Sequence, residues 1–166
     1  MDIMKQIYNI VAVACMALML CCCSNSDNTE TDSDEFDVML NTIVTSETAE
    51  KAYSIIENAH SNGQINNGQR SYLRAVVVFK DRERFDSVIT LCQPLVEMPE
   101  VKTDKKLLYR IYALMANAAE GCGNYADMIQ YATKTENLAQ KLGRIDKQQE
   151  MMGTVGYGMI LLGRSK

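Results

Sequence analysis

The residues of this 166-residue chain that could do chemistry are few and thinly spread. A Ser-His or Cys-His pair would have to recruit His60, the single histidine, because such a nucleophile needs an adjacent base to take its proton. No nucleophile elbow or paired-carboxylate motif accompanies it. His60 closes a helical pattern beside a loop, where a surface or capping role is expected, and no convergent ligands near it in sequence would complete a metal site. The string GCGNYA (121–126) fits G-x-G-x-x-G/A. That fingerprint holds a pyrophosphate only between a strand and a helix, and here a helical pattern precedes it. The string TVGYG (154–158) spells a potassium-channel filter, which works only as four loops held between membrane helices. It falls on a helical pattern instead. No enzyme and no cofactor are expected.

The remaining reactive residues are cysteines. Cys15, Cys21, Cys22 and Cys23 precede residue 24, and only Cys92 and Cys122 follow, which is not a disulfide framework. The latter two are expected as buried small residues in helices, with a pair in an oxidising compartment as the alternative. Residues 10–20 are all apolar or Cys, with Lys5 before and small polar residues after. Met4 offers a second start. This is the order of a secretory signal, and the run is shorter than the ~20 apolar residues of a membrane span. Leu20-Cys21-Cys22-Cys23 resembles the lipobox of bacterial lipoproteins. The resemblance implies that Cys23 takes a diacylglycerol and becomes the mature N-terminus, with Cys22 and Met19 as the fallback pairing. Several acyl chains on one residue anchor a protein far more firmly than one. The expected organisation is a signal peptide over 1–22, an acidic tether over 23–34 and a helical domain over 35–166. The tether carries Asp27, Glu30, Asp32 and Asp34 without a base, has no apolar periodicity, and loosely resembles the surface-export signals of some Gram-negative lipoproteins. With a net charge of −4, nucleic acid is not an expected partner.

The body from about Asp34 onward has a helical period. Phe36, Met39, Leu40 and Ile43 share one face, as do Ala49, Ala52, Tyr53 and Ile56 after a cap-like Ser46-Glu47. Asn62-Gly63 and Asn67-Gly68 mark a helix–helix loop. The strongest signal is a repeat of 40 residues: Tyr72, Tyr112 and Met152 coincide, as do Ala75, Met115 and Val155, then Val76, Ala116 and Gly156, then Phe79, Ala119 and Met159. Glu83, Gly123 and Gly163 align at a turn, with Phe85 and Tyr125 two residues on. A helical-hairpin unit of this period cannot bury its apolar face alone and must stack on its neighbours. The fold class expected is therefore all-α, a solenoid of about three repeats.

The segment YALMANAAEGCGNYADMIQYATKTENLAQKLG resembles the tetratricopeptide-repeat family in its longer-helix form: an aromatic, a small residue, Gly-x-Tyr at the turn, then an apolar second helix. The resemblance covers roughly 69–163. Met128 and Thr135 stand where that family has Ala, Glu83 replaces a turn glycine, and Pro94 should bend or end the second helix of its unit. The resemblance implies that a protein or peptide is the partner, bound in a groove lined by first-helix residues. By register these include Arg70, Lys80, Arg110, Asn117 and Tyr157, with the two arginines suited to bidentate grip on carboxylates or, alternatively, simply solvated. The chain is thus expected to be a non-enzymatic scaffold at the bacterial cell envelope, lipid-anchored with its repeats outside the cytoplasm. The alternative is the extracytoplasmic sensory part of a Bacteroidetes-type regulator that ends in a kinase or helix-turn-helix domain. The last segment, which aligns with a first helix and carries Gly153, Gly156 and Gly158, is expected to be a terminal cap or, by a slight preference, the point where a longer polypeptide continues.

Overall fold

A computed structural model describes residues 35–81 and 84–164, the last without its side chain; the expected signal peptide and tether, with Cys22, Cys23 and Glu83, lie outside these residues. The described residues are helical and contain no strand. Two compact units are separated between Thr45 and Ser46. The first shows one described helix, α1 (Glu35–Thr45), whose buried residues are Phe36, Leu40 and Ile43. Met39 is half-buried.

The second unit is built from α2 (Ala49–Ser61), α3 (Asn67–Lys80), α4 (Phe85–Cys92), α5 (Pro99–Thr103), α6 (Lys105–Gly121), α7 (Tyr125–Lys141) and α8 (Ile145–Arg164). Three of its helices end alike. Gly63, Gly123 and Gly143 take φ of 72°, 70° and 70°, a left-handed conformation that glycine adopts without a Cβ penalty. The amide that follows each glycine then reaches back five residues: Gln64 donates to Ala59 O at 2.9 Å, Asn124 to Ala119 O at 2.9 Å and Arg144 to Ala139 O at 3.0 Å. Each accepting alanine is buried. Such closures satisfy carbonyls a helix end leaves open, and their short loops turn the chain back into antiparallel neighbours. Helix α2 packs on α3, α3 on α4, α4 on α6, α6 on α7 and α7 on α8, while α3 also touches α6.

The starts are capped by side chains. Thr48 accepts from Lys51 N at 3.2 Å, so α2 begins after Thr48 rather than after the cap-like Ser46-Glu47. Asn66 and Gln69 form a reciprocal capping box on α3, and Asp104 accepts from Leu107 N at 2.9 Å at the start of α6. These contacts satisfy donors that no turn of the helix can reach. Asn67-Gly68, read as loop from sequence, therefore lies inside the first turn of α3. Gly68 is needed there for space: a Cβ would stand 2.7 Å from Val101 Cγ2 on α5.

The 40-residue register is visible in burial. Tyr72, Ala75, Val76 and Phe79 are buried in α3; Met115, Ala116 and Ala119 are buried in α6, with Tyr112 half-buried. The unit between them is irregular. Where the register would continue one long helix, α4 stops at Cys92, Pro94 precedes a short 3-10 turn over Leu95–Glu97, and Pro99 opens α5. Proline has no N–H to donate and suits the first helical turn, so the sequence expectation for Pro94 holds. Phe85 bridges the neighbouring helices. Its ring centroid lies 5.4 Å from that of Phe79, and its Cδ2 and Cε2 atoms lie against Gly121, whose missing Cβ leaves the room.

Helix α8 departs from expectation in one respect. Gly163, aligned with turn glycines by sequence, lies inside the helix, which runs to Arg164. Gly158 has a packing reason, since a Cβ there would come 2.8 Å from Ile129 Cγ1 on α7. Lys147, in the first turn of α8, is buried, and its Nζ donates to Glu150 Oε2 at 2.7 Å. Such a pairing is what allows a lysine to leave water.

Candidate functional site

The groove positions read from sequence come from three helices: Arg70 and Lys80 on α3, Arg110 and Asn117 on α6, and Tyr157 on α8. Arg70 is half-buried and engaged within the chain. Its Nη2 lies 2.7 Å from Glu57 Oε2 and its Nε donates to Glu57 Oε1 at 3.2 Å, a bidentate grip on a carboxylate of α2. Arg74 adds a second contact to Glu57 Oε1 at 2.7 Å and lies over the Tyr53 ring, 5.3 Å from its centroid. Lys80 Nζ donates to the Ser46 carbonyl at 2.7 Å, and burial pulls its ammonium below the ordinary lysine range. Val77, which shares a register with Asn117 and Tyr157, is buried. On the α3 side, then, the expected groove residues already serve the fold. Arg110 and Asn117 are half-buried and Tyr157 is exposed, leaving the α6 and α8 positions as the accessible part of the row.

Glu57 was not legible as the partner of Arg70 from local spacing. It follows from the hairpin: an antiparallel turn centred between Gly63 and Gln64 places residue 57 opposite 70 and residue 53 opposite 74. The Arg70 hydrogen bond is the largest cause holding the Glu57 carboxyl below the usual carboxylate range, with Arg74 adding to it. A depressed carboxyl contributes stability that is present above its unfolded value and is lost as pH falls through the folded one. Arg70→Ala should therefore move Glu57 back toward the ordinary carboxylate range in a carbon-detected NMR titration. An unchanged titration would mean that the pair does not form in solution.

A second polar cluster lies at the α6–α7 hairpin. The rings of Tyr112 and Tyr131 stack with centroids 6.4 Å apart, and Lys134 Nζ lies 5.0 Å and 5.8 Å from them. An ammonium over a tyrosine face is attracted by the ring quadrupole. Burial, the nearby Glu97 carboxylate and Tyr131 together push the Tyr112 hydroxyl up. Glu97 itself is held low by Lys102, whose Nζ is 2.6 Å from Glu97 Oε2. Every charge in this cluster has an opposite charge or a ring beside it, so it fastens helices rather than presenting a reactive group.

The residues that tempted a chemical reading have structural roles. His60 Nε2 lies 3.0 Å from Asn67 Oδ1, tying the last turn of α2 to the first turn of α3. The GCGNYA glycines serve the Phe85 contact and the α6–α7 turn. In TVGYG, the Thr154 hydroxyl donates to Glu150 O at 3.2 Å within α8. Cys92 is buried, with its thiol pushed up to about 12, whereas Cys122 is exposed at the end of α6 rather than buried as expected. Among the described residues no group of His, Cys, Asp and Glu could hold a metal ion, and no helix is long and apolar enough to cross a membrane. No protein-family model matches the chain, and no curated protein or solved structure matches it either.

Proposed function

We propose that the protein is a non-enzymatic interaction scaffold of the bacterial cell envelope. In this reading a tetratricopeptide-like array of about three helical hairpins is held outside the cytoplasm by lipid on Cys23, and the first-helix row binds another protein or peptide. The observation that carries the reading is the shared burial register. Ala75, Val76 and Phe79 in α3 and Met115, Ala116 and Ala119 in α6 are buried at positions forty residues apart. Repeated units that bury one face against the next leave a second face in an extended row, the surface on which such arrays bind their partners. Asn117 and Tyr157, again forty residues apart, lie on that row with solvent access.

The test is photocrosslinking of the full chain in its own cells, with the photoreactive residue at Asn117 or Tyr157. A discrete adduct that differs in mass from twice the chain, and that weakens in Arg110→Ala while helicity is unchanged, is the expected result. Absence of any such adduct from both positions would contradict the reading.

A further inference from the structure

Among the described residues, nothing covers one face of helix α8. Met152 is 56% exposed and Met159 59%, and Gly156 between them is exposed with open space beside its backbone. The same register positions are buried or half-buried in α3 and α6, where α4 and α7 pack on those helices. The face is therefore of the kind that this fold covers with an antiparallel helix. No charged residue occurs from Met151 to Gly163.

The spacing of the exposed residues says which helix fits. Ile145, Gln149, Met152, Gly156, Met159 and Gly163 recur at alternating intervals of four and three, the seam of a two-helix coiled pair. From Met152 onward methionine alternates with glycine, and this stretch together with Ile145 complements itself only when a second copy runs antiparallel. A twofold axis at Thr154 sets Met152 opposite the second copy's Gly156, Ile145 opposite its Gly163 and Gln149 opposite its Met159. A parallel pair would instead put methionine on methionine and glycine on glycine, leaving voids that cost packing energy. Ile160, 55% exposed, flanks the seam.

We propose that the exposed face of α8 is a homodimer interface in which two copies pair antiparallel about Thr154. The seam residues are not those of the partner row, although Tyr157 adjoins them, so either assignment can fail without the other.

The test is sedimentation equilibrium of the full chain in a density-matched detergent. The unaltered chain should dimerise, and Met159→Lys or Gln149→Glu alone should weaken association by about tenfold or more. An equimolar mixture of these two variants should recover it to within a few-fold, because residue 149 of one copy then meets an opposite charge at residue 159 of the other. Gly156→Gln should also weaken the dimer while leaving or raising the melting temperature, since glutamine favours a helix more than glycine does. That separates lost pairing from lost folding. A chain that stays monomeric, with this face left to a helix of another polypeptide, overturns the proposal. So do variants that dimerise as well as the unaltered chain, or a mixture that fails to recover, which would rule out the antiparallel register.

Discussion

Aspartate at Ala119 should unfold the second unit, whereas aspartate at Met159, forty residues further on, should be tolerated. The two positions share a register, and their helix-propensity costs are alike. They differ in what covers them. Ala119 is 0% exposed and its carbonyl closes the end of α6, so a carboxylate there would lose its water. The cost is at least about 4 kcal/mol, a large share of the stability of a domain this size. Met159 is open to solvent, and a surface change of this kind stays within about 0.5 kcal/mol. Urea denaturation at dilute concentration, followed by circular dichroism, reads both. Equal destabilisation at the two sites would mean that α8 is covered as α6 is.

Gly121→Ala is the second large effect. The new methyl group would enter the Phe85 ring, and that ring is already held against Phe79 at 5.4 Å between centroids. Overpacking of this kind costs about 1–3 kcal/mol, which outweighs the gain of up to ~1 kcal/mol that alanine brings to a helix over glycine. Gly153→Ala on α8, where no atom lies within 4 Å of the added Cβ, should show that gain alone and stabilise. In a Phe85→Ala background the cost at Gly121 should vanish, a coupling that a double-mutant cycle isolates. If Gly121→Ala were as benign as Gly153→Ala, the close approach of α4 to α6 would be wrong.

These two effects also mark the limit of what could be read from the sequence. The 40-residue register was legible because Tyr72 through Phe79 and Tyr112 through Ala119 carry apolar residues at matching steps, and burial follows them. Period alone could not say which glycine is a turn. Gly123 and Gly163 align, but only Gly123 takes a left-handed conformation, after which the Asn124 amide closes onto Ala119 O, while Gly163 continues a helix. Gly68 and Gly121 looked like punctuation and are points of close approach, which no local pattern encodes. The break at Pro94 was legible from its missing donor. The short α5 that follows was not, since it depends on a second proline and on Val101 finding Gly68. Among the groove residues, Arg70 was singled out for a fork that fits carboxylates. In the structure that fork holds the Glu57 carboxylate, brought opposite by the α2–α3 hairpin.

The proposed function requires the chain to be held at a membrane by its first mature residue, and mass spectrometry of the native N-terminal peptide tests this most directly. The account predicts a peptide that begins at Cys23, or at Cys22 by the fallback cleavage, and carries the added mass of a diacylglyceryl group. A native peptide that still contains the apolar run over 10–20, or that begins at an unmodified residue downstream, would contradict it.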